Sequence, residues 1–260
     1  MVKTQSLVTA IPIIGLLFLF TLVGFSLSKP SVTHAACSIS SGNTGHWFGG
    51  FFDTTPNYTL STRAVKADIW NYNPGPIFDD TSIWVMITED GTSDYGQIGW
   101  GKDSGDSVEY VFAEYTDGGS GFRAFYDAPN DEWIGTKTTQ PPSSKLYTAT
   151  WVDASPDNQL QFIYDGSAIW TASVDWIADT WDVSSEVRSY EAVAGTDKGD
   201  HSAGGTSNKI KAHGIKIYGA SGAGWADPSG YSSSFEANMS SDTTSVTGVG
   251  YRIWDNRCSE

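Results

Sequence analysis

The chain has 260 residues, with 30 Asp and Glu set against 15 Lys and Arg, for a formal charge of −15. That balance leaves no basic patch able to displace counterions from a phosphate backbone, which excludes nucleic acid as a partner. Together with 28 Gly, 11 Trp, 12 Tyr and 12 Phe, the length fits one large sheet domain better than two small ones.

The amino terminus begins with Lys3, continues through an apolar run from Leu7 to Leu27 and ends in small residues near Thr33-His34-Ala35. This is the layout of a secretory leader over residues 1–35, and it predicts a secreted, extracellular protein with no membrane association once the leader is cleaved. The competing reading is an uncleaved anchor, because the apolar run approaches the roughly 20 residues that span a bilayer. Lipidation of Cys37 is a second alternative, although His34 stands where such signals usually carry leucine. Loss of Lys3 and Lys29 with the leader leaves 13 basic against 30 acidic residues, a formal charge of −17. So few cations accumulate little positive charge in acid, so the composition is compatible with an acidic workplace.

Cys37 and Cys258 lie at opposite ends of the expected mature domain, residues 36–260. In an oxidising compartment they are expected to pair, and closing so long a loop stabilises the fold by on the order of 4–5 kcal/mol. The four histidines, His34, His46, His201 and His213, show no zinc spacing with these cysteines. The acidic turns Asp103 to Asp106 and Asp197 to Asp200 lack the twelve-residue calcium-loop pattern and read as solvated loops. No metal and no cofactor is expected.

Between turn clusters the chain shows short alternating or continuous apolar runs. In order they are Ser61 to Trp70, Ser82 to Thr88, Tyr95 to Trp100, Val108 to Thr116, Gly121 to Tyr126 and Leu146 to Val152. Gln159 to Tyr164, Ala168 to Val174, Val183 to Glu191, Asn208 to Tyr218 and Val246 to Trp254 complete the set. No helical period covers them, so the predicted fold is all-β, an antiparallel β-sandwich of jelly-roll or concanavalin A-like type. The Gly/Ser/Thr-rich segment 221–247 reads as a long surface excursion or a flexible linker before the last strand.

For chemistry, no Gly-x-Ser-x-Gly elbow is present. The pairs Glu109/Glu114 and Glu186/Glu191 are five residues apart, which in a regular strand puts the two carboxylates on opposite faces and disfavours a glycosidase pair. Tyr95-Gly96-Gln97-Ile98-Gly99-Trp100 instead reads as a strand presenting an amide between two positions that leave it room, and Val183 to Tyr190 offers a carboxylate at Glu186 in a similar strand.

These segments carry a family resemblance. Ser82-Ile83-Trp84-Val85-Met86-Ile87, then Gln97-Ile98-Gly99, then Ala113-Glu114-Tyr115 resembles the succession Trp-Val-Gly-Ile-Asp, Gln-x-Gly and Tyr-Glu-Trp of the fungal glutamic peptidases, the eqolisins. Ser185-Glu186-Val187-Arg188-Ser189-Tyr190-Glu191 resembles that family's Ala-Glu-Trp-Ile-Val-Glu, whose first glutamate is catalytic, and His46-Trp47-Phe48-Gly49 is similar to its early Trp-x-Gly. Gln97-Ile98-Gly99-Trp100 also resembles the Glu-x-Gly-Trp strand of neprosin-type peptidases, with Gln97 siding with the fungal dyad. The order agrees from Trp47 to Glu191. Thr88 and Gly101 depart from it, each standing where the fungal family has an aspartate.

The resemblance implies a secreted endopeptidase acting on polypeptides in acid, with Glu186 as general base and acid and Gln97 as oxyanion donor. Glu191 ranks second for the carboxylate. Trp47, Trp84, Trp100 and Glu114 would line the substrate, and a monomer is expected. Two other classes stay open: a carbohydrate-binding sandwich that stacks sugars on Trp and Tyr, and a noncatalytic cell-surface module.

Overall fold

The computed structural model describes residues 47–53, 62–71, 80–89, 91–102, 110–125, 143–176, 181–190, 210–218, 224–228, 230–235, 239–243 and 248–255. They form strands β1 (Trp47–Asp53), β2 (Thr62–Asn71), β3 (Asp80–Glu89), β4 (Tyr95–Lys102), β5 (Tyr110–Asp117) and β6 (Ser120–Phe125). The series continues with β7 (Ser143–Val152), β8 (Asn158–Tyr164), β9 (Ser167–Val174), β10 (Trp181–Tyr190) and β11 (Ile210–Tyr218). The last are β12 (Trp225–Ala226), β13 (Gly230–Phe235), β14 (Met239–Asp242) and β15 (Tyr251–Asp255). No described residue is helical.

Two antiparallel sheets result. One runs β13-β1-β10-β3-β4-β5-β6, the other β14-β15-β11-β2-β7-β8-β9 with β12 added beside β11. Each of the eleven apolar runs of the sequence contains a strand, the last of them only from Tyr251. Two hairpins turn as their residues require: Gly118-Gly119 and Asp165-Gly166 both hold positive φ at two consecutive positions, the mirror-type turn that matches strand twist.

Strand alternation builds the core. Ile83, Val85, Ile87, Ile98, Trp100 and Ala113 of the first sheet face Val65, Ala67, Ile69, Tyr147, Leu160 and Phe162 of the second, all of them buried in one cluster. Burying each large aliphatic or aromatic side chain contributes about 1.5–3 kcal/mol. The Trp170 ring, on β9, leans on Tyr115, on β5, at 5.1 Å between centroids, so aromatic contact also spans the sheets.

Within the segment 221–247, read from sequence as an excursion or linker, the described residues include strands β12, β13 and β14. Its β13 pairs with β1 and its β14 with β15, so it feeds an edge strand to each sheet. Ser and Gly runs carry little apolar period of their own, and pairing with a neighbour supplies what local pattern lacks. Cys37, Cys258, the leader, His46, Glu109, Glu191 and the turns at 103–106 and 197–200 lie outside the described residues. Among those described, no helix is long and apolar enough to cross a membrane.

Candidate active site on the outward face of the seven-stranded sheet

Strand β4 divides its residues between two environments. Gly96, Ile98 and Trp100 point into the sandwich, while Tyr95, Gln97, Gly99 and Gly101 belong to the outward face. Both inward and outward glycines are closely approached, and at Gly99 the neighbour is backbone, so glycine is required there. A Cβ at Gly96 would sit 2.9 Å from Leu160 Cδ1 of the opposing sheet, and one at Gly99 would fall 2.0 Å from the Ile83 carbonyl oxygen and 2.6 Å from Trp84 Cα. The close approach of β3 to Gly99 is the physical reason for the glycine two residues after Gln97.

Register places the predicted pair on one face. Gln97 is opposite Met86 on β3, and Met86 is opposite Ser184 on β10. In the next row Gly99 is opposite Trp84, Trp84 is opposite Glu186, and Glu186 is opposite Gly50 on β1. Ser185, wholly buried and paired with Val85, belongs to the core side, so Glu186 takes an outward position by alternation. Gln97 and Glu186 are thus two strands apart across the sheet and two residues apart along it, about 10 Å by about 7 Å between backbone positions. Small residues, Gly50 and then Ser232 on β13, continue the row beyond Glu186.

The surroundings of Gln97 are mostly enclosed. Gln97 is 8 % exposed, and among the described residues none serves as hydrogen-bond partner to its side-chain amide. A side-chain amide has two donors and an acceptor, and it can donate to a ligand oxygen without a change of charge. On one flank Trp84, Tyr110 and Phe112 form a separate buried cluster with Met86 packed against it. On the other flank Glu114 lies directly opposite Gln97 and accepts a short hydrogen bond from the Tyr95 hydroxyl. The Tyr95 backbone amide is anchored by Thr116 Oγ1 at 2.9 Å, and Glu114 is in register with Arg123 on β6.

The predicted site residues therefore separate. Gln97, Glu114, Trp84 and the backbone position of Glu186 share the outward face. Trp100 does not: it is 1 % exposed in the core between the sheets, and its expected role as a substrate-lining residue is corrected by the odd three-residue step from Gln97, which reverses the face. Trp47 opens β1 and pairs with Phe235, at the β13 side of the sheet. Tyr95, Met86, Tyr110 and Phe112 were not anticipated. Even-numbered steps from Gln97 would have found Tyr95, whereas the others emerge only from cross-strand register. No group of three or more His, Cys, Asp or Glu among the described residues is arranged to hold a metal ion.

No protein-family profile and no curated protein matches the chain. Among solved structures it is similar to Scytalido-glutamic peptidase bound to a peptide-based transition-state analogue, at 10% identity and a TM-score of 0.47, covering 83% of this chain and 100% of that one. It is also similar to SCP-B, an eqolisin peptidase in complex with the tripeptide Ala-Ile-His, at 12% identity and a TM-score of 0.46, covering 83% and 100%. A third likeness is to a heptameric SAP-like pentraxin from Limulus polyphemus, at 9% identity and a TM-score of 0.34, covering 86% and 94%.

Proposed function

We propose that this chain is a secreted endopeptidase of the glutamic type, cleaving polypeptides in acid with Glu186 and Gln97 as its catalytic pair. The observation that carries the reading is the register that sets both residues on one face of the seven-stranded sheet, in adjacent rows across β3. The order of sequence motifs from Trp47 to Glu191 supports it independently.

In this mechanism the Glu186 carboxylate takes a proton from a water lying between the two side chains, and the water oxygen bonds to the scissile carbonyl carbon. The carbonyl π-electrons move onto oxygen, and the Gln97 amide, which donates without titrating, stabilises that oxyanion. Collapse breaks the C–N bond as Glu186 returns its proton to the departing amine. Trp84 and Glu114 flank this centre, with Glu114 fixed by Tyr95 and so able to hold an extended substrate beside Gln97. A glutamate base works only where it is partly ionised, and glutamates ordinarily titrate near about 4.3, so activity falls in the acid range.

The test is cleavage of an unfolded protein substrate by the purified chain at about pH 3–5, where a glutamate base is partly ionised. Wild-type protein is expected to cut it and Glu186→Gln to lose cutting altogether. Binding on a sugar array with no proteolysis would favour the carbohydrate-binding class instead.

A further inference from the structure

The outward face of the eight-stranded sheet carries a second group of reactive side chains, which the peptidase mechanism does not use. Ser144 on β7 and His213 on β11 are separated by β2, yet Ser144 Oγ and His213 Nε2 stand 3.0 Å apart. The registers account for the contact. His213 is opposite Asp68 on β2, and Ser144 is opposite Trp70 two residues further along the same strand, so the imidazole crosses β2 on a diagonal. Ala212, Ile69 and Tyr147 are wholly buried in the core, and alternation turns Ser144, Asp68, Trp70 and His213 outward, each of them partly exposed.

Just beyond His213 the strand is interrupted. Its ladder with β2 shifts register between His213 and Lys216, and Gly214 holds φ +60. A Cβ on Gly214 would lie 3.2 Å from Asp68 Oδ2, so the bulge leaves room for that carboxylate beside the strand that carries the histidine. Lys211, two residues before His213, places its ammonium 4.2 Å from the centroid of the Trp70 ring. Because Trp70 is the cross-strand partner of Ser144, a hydroxyl, an imidazole nitrogen and a cation are gathered around one indole.

We propose that Ser144 is a histidine-activated nucleophile, forming with His213 a second catalytic site that takes acyl groups from activated esters. With its ring proton on Nδ1, His213 offers Nε2 as acceptor to the Ser144 hydroxyl, the contact that joins a nucleophile to its base. As Ser144 Oγ bonds to the ester carbonyl carbon, its proton passes to Nε2 and the carbonyl electron pair moves onto oxygen. Lys211, whose ammonium lies over the indole opposite Ser144, supplies positive charge for that oxyanion. Collapse breaks the bond to the alcohol, which leaves with the proton from Nε2. A water then attacks the acyl carbon, giving one proton to His213, and the carboxylic acid departs as that proton returns to Ser144 Oγ. Trp70 offers the acyl or aryl group an apolar wall.

The experiment treats the purified chain at about pH 8, where imidazole is neutral, with a fluorophosphonate, whose phosphorus bonds to an activated serine oxygen as fluoride leaves. Peptide mapping is expected to place the adduct on Ser144 of the folded wild type and to find none there in the chain unfolded by urea. His213→Gln keeps a hydrogen-bonding side chain but is no base, so it should slow both labelling and the hydrolysis of a p-nitrophenyl ester by about 10²-fold or more. Ser144→Ala should abolish both. If either variant does not fold, the adduct on folded wild type and its loss in urea decide the question without them. Folded wild type with no adduct on Ser144, or labelling that His213→Gln leaves unchanged, would overturn the proposal and leave the contact a structural cross-strand hydrogen bond. No polypeptide is cut and no acid is used in this measurement, so its outcome is separate from that of the peptidase reading.

Discussion

The two faces of the seven-stranded sheet are written by alternate residues of the same strands, and they are chemically unlike. Inward, Ile83, Val85, Ile98, Trp100 and Ala113 form a continuous apolar layer closed against the second sheet. Outward, the same strands carry Trp84, Gln97, Gly99 and Glu114, and β10 adds the backbone position of Glu186, on the face that no second sheet covers among the described residues. On the proposed function, stability and chemistry fall on opposite parities of one backbone. A substitution on one face should move the melting temperature and a substitution on the other should move the rate, with little exchange between the two effects.

The largest expected effect tests the inward face. Trp100→Ala removes a fully buried ring and is expected to destabilise the fold by about 3–5 kcal/mol in a denaturant titration. Normal stability with lost cleavage would instead return Trp100 to the substrate side. Next comes the outward face. Gln97→Ala should lower kcat by about 10²–10³-fold, the usual loss for an oxyanion donor, while leaving the unfolding midpoint close to that of the wild type. A variant that melts early and cuts normally would break the division between the faces.

The third and smallest effect has the opposite sign. Arg63 on β2 shares the inward parity of Val65, Ala67 and Ile69, is 2 % exposed, and among the described residues neither of its terminal nitrogens has a hydrogen-bond partner. Burial holds its pKa below the usual value, as expected for a cation taken out of water. Arg63→Met should therefore raise stability by about 1–4 kcal/mol, measured by the same titration. Destabilisation by that change would mean that the charge has a stabilising role in the core.

Much of the fold was legible because alternation is a local signal. Runs such as Tyr95 to Trp100 and Gln159 to Tyr164 announce strands from their own residues. Strands β1, β13 and β14 do not: Trp47-Phe48-Gly49-Gly50 is broken by glycine, and Tyr231-Ser232-Ser233-Ser234 is mostly serine. Such segments become strands because a neighbour offers a free ladder, which is information about tertiary structure. The site follows the same rule. That Gln97 faces away from Trp100 is decidable from parity within one strand, because an odd separation of three residues reverses the face. That Gln97 and Glu186 fall in adjacent rows depends on the registers of β4 with β3 and of β3 with β10, which no local pattern encodes. The motif order could point to the two residues but not to their geometry.

The most direct measurement of the central claim is kcat/KM for cleavage of an unfolded protein in acid by four proteins: wild type, Gln97→Ala, Glu186→Gln and the double variant. Residues that act on one tetrahedral intermediate are grossly non-additive. The account predicts a partial loss for Gln97→Ala and complete loss for Glu186→Gln. The double variant should be no worse than Glu186→Gln, with all four unfolding at similar midpoints. Wild-type cleavage by Glu186→Gln would contradict it.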